Sequence, residues 1–568
     1  MGWRTLWMFS KNLGPSVCYA VRTLRSKIEN KHFFAIVITG LVIFCSLAFF
    51  LYSHRFIRYQ EPEFLTFGEL GKLYRNPLPG GLLRWKLEKF RTTPIISNEA
   101  YYQGVRPFHP IDPKLGPYLS LASWNIGEEE LFHLKDTISV FSSADRFRSL
   151  IDSTKAPEGS SEYKEILRQR GRLSNADIIV LQEVNIGAKR SEYRDEAREF
   201  AKAVKMNYAF GDEQLEIDPV LLGLEKIYYK DGVTVDKEET AYYAADPARY
   251  KGVLGNTVFS RYPIKKVQVF QLKHIPYDWY TAQREKPGFI EKVRETGGEI
   301  ILETEFTRSI RVGTQIYFRV DLDVPGLPEN TLTVISIHLE INCTPKEREI
   351  QLAEILSYMK GIKHPVIMVG DYNAAPDDLS ATSVKRIVTR TVKDPTTWFS
   401  AAVTYLLPQA LVINASRFVG NFTKNLQDPL ASDISVIFPN PLHALFAMIQ
   451  NYRFNDGGAF DFRGDPERSI NGKGGALANS NERGLKGFKT TWRVQRPICF
   501  IGKYRLDWVF IKSILKDPYD EAGSYRFAPH FGETLEELNT SLKKPISDHH
   551  PNVVDIPLKE PDIRRKAP

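Results

Sequence analysis

"TLTVISIHLEINCTPKEREIQLAEILSYMKGIKHPVIMVGDYN" (Thr331–Asn373) reads as strand, helix, strand. Its flanks are short, apolar and rich in Val and Ile, as strands are. Between them Leu352, Ile355, Leu356 and Met359 fall at i, i+3, i+4 and i+7, which gives a helix one apolar face. The alternation continues outward. Further strands are expected at "LSLASWNI", "ADIIVLQEV", "GNTVFSRYPI", "IYFRVDLDV", "LDWVFIK" and "NVVDIPL", and "REFAKAV" before Asn207 reads as another helix. Strands alternating with amphipathic helices predict one layered α/β domain.

Of 568 residues 43% are hydrophobic and 25% charged, which is enough apolar material for a large core and excludes a disordered chain. The formal charge of +8 is modest for this length and owed in part to the N-terminus, so it does not by itself indicate nucleic acid. Cys18, Cys45, Cys343 and Cys499 show no C-x-x-C spacing, which argues against a zinc knuckle or a dense disulfide framework. Cys343 and Cys499 would pair only if the fold joined them.

"FFAIVITGLVIFCSLAFFLY" (Phe33–Tyr52) is an uncharged run of 20 residues. That matches the roughly 20 a helix needs to cross about 30 Å of hydrocarbon. Arg4, Lys11, Arg22, Arg25, Lys27 and Lys31 precede it, and only Arg55 and Arg58 follow closely, so the N-terminus is expected in the cytoplasm. The run is long for the apolar part of a cleaved signal, and no small-x-small site follows it. The expected organisation is a basic cytoplasmic segment at 1–32, a single transmembrane helix at 33–53, a proline-dotted linker at 54–116 and a folded domain at 117–560, on the periplasmic or extracellular side. "WFSAAVTYLLPQALVI" (Trp398–Ile413) is too short and proline-broken for a second span and reads as a buried helix.

Polar residues sit at the strand ends. Asn125 ends the first strand, Glu183 the second and His338 the fifth. Asp371 and Asn373 end the sixth, Asp507 lies in the seventh, and Asp548 and His549 precede the eighth. One such placement is ordinary loop polarity, but like ends of packed strands can converge on one rim. Glu183, Asp548 and the Asn125 carbonyl are hard oxygen ligands that favour Mg²⁺, with Mn²⁺ as the alternative, over zinc. Asp371 and Asn373 are placed to position a water, while His338 and His549 are placed to donate to a phosphate. Asp507 would hold His549 in its useful tautomer and favour the imidazolium.

In order, "WNIG", "LQEV", "GNTVFSRYPI", "SIHLE", "GDYN", "RLDWVF" and "SDHHP" resemble the motifs of the endonuclease/exonuclease/phosphatase superfamily, the DNase I-like hydrolases, over roughly Tyr118–Leu558. The resemblance implies a four-layered α/β sandwich of two packed mixed sheets flanked by helices. It also implies metal-side residues Asn125, Glu183 and Asp548, a phosphate-contacting His338, a water-orienting pair Asp371 and Asn373, and a catalytic His549 partnered by Asp507. His550 varies in that family and is read as structural. Tyr372 replaces the more usual Phe or Leu and should leave its neighbours undisturbed. Insertions are expected near 128–175, 221–251, 277–315 and 375–480. "RFNDGGAFDFRG" with "LANSNERGLKGFKTTW" resembles a membrane-anchored bacterial branch of the superfamily.

Four residues are candidates for substrate contact. Tyr208 in "MNYAFG" stands where related hydrolases often carry a ring near the site, although rings after a helix commonly fill core. Asn256 lies in "GNTVFSRYPI", Arg261 either reaches the phosphate or caps the strand rim, and Trp492 belongs to a basic, aromatic stretch ahead of Asp507. The activity expected is that of a membrane-anchored phosphoesterase hydrolysing a phospholipid head group or another small phosphodiester. The alternatives are a DNase I-like nuclease, which makes nucleic acid a second candidate substrate, or a non-catalytic anchored binding module. His338 counts against the abasic-site endonuclease branch, which lacks histidine at the matching strand.

Overall fold

The computed structural model describes residues 30, 35–46, 56–99, 117–127, 134–217, 246–284, 310–374, 442–460, 491–498, 501–512 and 532–558. The chain divides into two units, Met1–Ile57 and Arg58–Pro568. In the first, residues 35–46 are helical and their apolar side chains, among them Ile36, Leu41 and Phe44, are exposed. The rest of the run at 33–52 lies outside the described residues. Among the described residues no helix is long and apolar enough to cross a membrane.

The second unit holds two packed sheets. The larger contains β1 (Tyr59–Gln60), β2 (Ile95–Ser97), β3 (Tyr118–Asn125), β4 (Ile178–Ile186), β5 (Asn207–Ile217), β6 (Val253–Ser260), β8 (Ile310–Gly313), β15 (Gly532–Thr534) and β16 (Asn552–Pro557). Its order is β1-β2-β5-β6-β4-β3-β16-β15, with β8 paired to β5. The smaller runs β14-β11-β10-β9-β7, from Asp507–Lys512, Val366–Asp371, Thr331–His338, Ile316–Asp323 and Ile264–Gln271. A separate ribbon pairs β12 (Trp492–Ile498) with β13 (Ile501–Tyr504). Both sheets are mixed, since β3 runs parallel to β4 and β10 to β11 while their other neighbours are antiparallel.

The central strands β3, β4, β6, β10, β11 and β14 bury both faces, which is why their sequences read as nearly continuous apolar runs. In β3, Leu119 and Leu121 face the second sheet while Ala122 and Trp124 face helices. In β10, Leu332 and Val334 meet the first sheet, and Ile335 and Ile337 meet the outer helices. The outer layer over the large sheet includes α3 (Leu134–Ser142), α4 (Ala144–Leu150), α5 (Ser161–Ser174) and α6 (Glu196–Val204), packed through Val140, Phe147, Ile166 and Phe200. The layer over the small sheet includes α8 (Pro345–Met359) and α9 (His443–Asn451). The four positions that predicted α8, Leu352, Ile355, Leu356 and Met359, are all buried there. Thr344 starts α8 with a capping box, accepting from Glu347 N while Glu347 accepts from Thr344 N, and Pro345 supplies the first turn.

Three expectations need correction. Residues 59–97, expected as linker, belong to the domain: β2 pairs with β5, and α1 (Phe67–Arg75) and α2 (Gly81–Thr92) pack Leu70, Leu73, Leu87 and Phe90 into the helix-side core. "GNTVFSRYPI" is two strands in different sheets, because the chain turns at residues 261–263, where Tyr262 N donates to Ser260 Oγ. β5 was not expected at all, since Asp212, Glu213 and Gln214 interrupt its apolar pattern although all three are buried. The expected insertion at 128–175 supplies α3 to α5, whereas most of 375–480 and Cys499 lie outside the described residues.

β11 approaches β10 closely just before its C-terminal end. Gly370 has φ +138°, and a Cβ there would stand 2.0 Å from the Ile337 carbonyl oxygen. Gly370→Ala is therefore expected to lower unfolding stability by about 2–3 kcal/mol, read as a fall in the urea midpoint. An unchanged midpoint would show that the strands can separate at this point.

Candidate functional site

Two parallel pairs, β3 with β4 and β10 with β11, point their C-terminal ends toward one rim, where antiparallel β14 begins. The register puts His338 opposite Asp371 and Asp371 opposite Asp507. On the larger sheet Asn125 lies opposite Gln182, next to Glu183. Glu183 has φ +61°, and the β4–β6 register slips between Leu181 and Val184. A non-glycine residue in that conformation at a bulge re-aims its side chain.

The polar groups then form a continuous path. Asn125 Nδ2 donates to Glu183 Oε1 at 2.9 Å and to Asp371 Oδ2 at 3.2 Å. Asp371 Oδ2 is 3.9 Å from His549 Nε2, and His549 Nδ1 is 2.9 Å from Asp507 Oδ2. His338 Nε2 is 3.6 Å from Glu183 Oε1, and His338 Nδ1 is 3.0 Å from Glu213 Oε2. Asp371, Asp507 and His549 are buried and each offers a ligand atom within 4.8 Å of the others.

Backbone and side-chain hydrogen bonds hold these groups in place. Ser547 Oγ donates to Asn125 O and accepts from His549 N, which ties the last motif to the first strand. Trp124 Nε1 and Asn539 Nδ2 both donate to His549 O at 3.0 Å. Thr491 Oγ1 accepts from Asp507 N and Leu506 N. His550 is buried with its N–H on Thr491 O, in keeping with a structural part. Tyr372 turns the other way, its hydroxyl on Met368 O and its ring against Phe510, and leaves Asp371 and Asn373 undisturbed.

The electrostatics are those of a buried, mutually compensating cluster. Burial alone would depress His549, but Asp507, Asp548 and Asp371 outweigh it and hold the ring up at about 10. His338 is likewise held well above its ordinary range by Glu213, Glu183 and Asp371 against the pull of burial. Asp371 is raised by burial and by Asp507, although both histidines pull it down. The surrounding carboxylates thus favour the protonated form of both imidazoles. Divalent-metal chemistry fits the donors, which among the described residues are carboxylate oxygens and the His549 imidazole with no thiolate, while Asn125 turns its Nδ2 to the carboxylates and its Oδ1 to Gly127 N. Among the described residues Asp507 Oδ1 is buried without a hydrogen-bond partner, an acceptor that such a charged site could use.

The remaining candidates separate. Asn256 belongs to the site indirectly, because its Nδ2 donates to Glu213 Oε1 and so steadies the partner of His338. Trp492 reaches the mouth, where Nε1 donates to Asp548 Oδ2 at 2.7 Å and its backbone bridges to His549. Asp548 itself is exposed, its carboxylate turned to that indole. Asn373 has φ +48° and gives its Nδ2 to Leu339 O, so its amide ties β11 to the end of β10 instead of facing a water. Arg261 lies at the opposite rim, paired to Asp177 at 2.9 Å just before β4 starts, and it caps the strand end. Tyr208 is core, its ring 6.2 Å from Phe259 and packed among helix-facing side chains. Glu213 and Ser547 were missed. Glu213 sits in an unrecognised strand, and the only signal for it was an acidic pair inside an otherwise buried segment.

Comparison with curated proteins gives no match. Among solved structures the chain is similar to an endonuclease/exonuclease/phosphatase from Beutenbergia cavernae DSM 12333, at 14% identity over 79% of this chain and 73% of that one, with a TM-score of 0.33. It is also similar to the human Nocturnin catalytic domain with bound sulfate, at 12% over 78% and 95% with a TM-score of 0.30. An AP endonuclease from Archaeoglobus fulgidus aligns at 13% over 77% and 98% with a TM-score of 0.31. Likeness at that level carries no argument about substrate. The model of the Endonuclease/Exonuclease/phosphatase family, by contrast, matches residues 122–549, most of the chain and every residue of the path from Asn125 to His549. The chain is a member of that family of phosphoesterase and nuclease hydrolases.

Proposed function

We propose that this protein is a membrane-anchored, divalent-cation-dependent phosphoesterase that cleaves a phosphodiester by attack of a positioned water. The observation that supports it is the unbroken contact path Glu183, Asn125, Asp371, His549, Asp507. Glu183 would hold Mg²⁺ or Mn²⁺, Asn125 would join it on turning its amide oxygen from Gly127 N, and Asp548 on leaving Trp492. When bound, the cation would offset the charge that gathers on the phosphoryl oxygens.

The protein groups supply the rest. His549 is a fixed imidazolium, since Asp507 takes Nδ1 and leaves Nε2 as a donor facing the cluster. His338 is a second buried imidazole whose protonated form its carboxylates favour, with Glu213 on Nδ1 and Nε2 turned toward Glu183. Two preorganised donors are suited to a phosphoryl group whose negative charge grows during reaction. Asp371, raised by burial, is a stronger base than an exposed carboxylate and is placed to take a proton from the attacking water. The apolar run at 33–52 favours a phospholipid head group or another small phosphodiester as substrate, with the domain on the periplasmic or extracellular side.

The full-length protein should hydrolyse a generic phosphodiester reporter only with Mg²⁺ or Mn²⁺, and undiminished turnover in chelator would sink the proposal. His549→Ala and Glu183→Ala should each reduce kcat by roughly 10²–10⁴-fold. Sphingomyelin, other phospholipids, inositol phosphates, RNA and DNA, offered in parallel, would identify the substrate; DNA as the preferred one would replace the lipid reading with a nuclease.

His549 also links stability to pH. Its pKa rises from about 6.5 unfolded to about 10 folded. Between those values the folded state keeps a proton that the unfolded chain releases, so the contribution is complete below the lower value and lost as pH climbs through the upper. The urea midpoint of chelator-treated protein should fall from pH 7 to pH 10, and His549→Gln should flatten that slope. Equal slopes would show that His549 is not charged in the fold.

A further inference from the structure

Helix α2 has two unlike faces. Leu87 and Phe90 are buried in the helix-side core, and Lys86 is held between Glu63 at 2.8 Å and Glu69 at 2.9 Å. The opposite stripe is apolar yet uncovered. Leu78, just ahead of the helix, is 85% exposed, Leu82 78% and Trp85 56%. Leu82, Trp85 and Lys89 recur at i, i+3 and i+7 along the helix, Leu78 stands before its extended N-cap Gly80, and Lys89 lays its ammonium 5.0 Å from the centre of the Trp85 ring. Arg75 ends α1 and is exposed, and Arg84 is paired at 2.8 Å with Glu88, the acid on this helix. Leu and Trp rimmed by cations form the surface of an interfacial helix, which sinks its apolar side to headgroup depth and sets its bases against anionic lipid.

Two further observations point to a bilayer. The stripe begins only 25 residues after the apolar run, residues 53–77 lying between. Contacts also lead from α1, which precedes the stripe, and from the far end of α2 toward the site. Tyr74 O accepts from Tyr280 Oη at 2.7 Å and from Arg284 at 2.6 Å, and neighbouring Trp279 donates to Glu340, two residues past His338. At the other end of α2, the Arg91 charge acts on Asp212, next to the Glu213 that holds His338.

We infer that Leu78, Leu82 and Trp85, with Arg75, Arg84 and Lys89, form a docking surface for an anionic lipid bilayer that brings the catalytic rim to the headgroup layer. This deepens the lipid reading above and rests on it for substrate, but docking itself needs no catalysis.

The test places the full chain in phosphatidylcholine vesicles with brominated acyl chains, with or without phosphatidylglycerol. The emission lost in Trp85→Phe isolates Trp85. That component should be quenched by bromine when phosphatidylglycerol is present, and Arg84→Gln or Lys89→Gln should each weaken the partitioning roughly fivefold. An unquenched Trp85 in both lipids overturns the inference, as does quenching indifferent to phosphatidylglycerol or shielding of Trp85 that follows protein concentration and so reports a protein interface. Docking without hydrolysis of any phosphoester would refute the proposed activity and leave the surface standing; hydrolysis with an unquenched Trp85 would do the reverse.

Discussion

Asp371 at the end of β11 is the constraint around which the site is arranged. A buried carboxylate is costly to ionise unless it is hydrogen-bonded and matched by charge. Here Asn373 N and Asn125 Nδ2 donate to it, and His549 and His338 lie near enough to lower its pKa against burial and Asp507. Each compensating group comes from a different strand end. Displacing one strand would leave a buried charge unmatched, so the same interactions that tune the chemistry also hold β3, β11, β14 and the segment before β16 together.

The two-sheet core makes that convergence possible. Leu119, Leu121, Val334, Ile367 and Ile511 interdigitate between the sheets and fix how the strand ends face one another. Close-packed interiors tolerate little slippage. Gly370 permits the near approach of β10 and β11, while the positive φ of Glu183 turns a strand residue toward the rim. The geometry of the candidate site therefore rests on a few backbone choices that an apolar core holds in place.

Segment 59–97 shows how a domain edge can acquire a task. It completes the large sheet through β2 and covers core through Leu87 and Phe90, which leaves the other side of α2 free to carry Leu82 and Trp85. The same helix reaches the vicinity of Glu213 through Arg91 and Asp212. One short element thus carries both the exposed stripe and a charge that acts near the site.

The strands and α8 were readable from the sequence because periodicity and β-branched residues are local properties, and the acids, amides and histidines at their ends could be named for the same reason. Asn125, His338 and Asp371 end their apolar runs, Asp507 and His549 stand at or just before the start of theirs, and Glu183 interrupts its own. The sequence could not say that β5 exists, because buried Asp212, Glu213 and Gln214 disguise it, nor that Glu213 would serve His338. Nor could it place Arg261 at the far rim, give the Asn373 amide to Leu339, or turn Asp548 toward Trp492. Those outcomes depend on strand direction, register and burial, which bring together residues tens to hundreds of positions apart. The chain by itself determined which chemistry was available at each strand end; the packing of two sheets decided which of those groups meet.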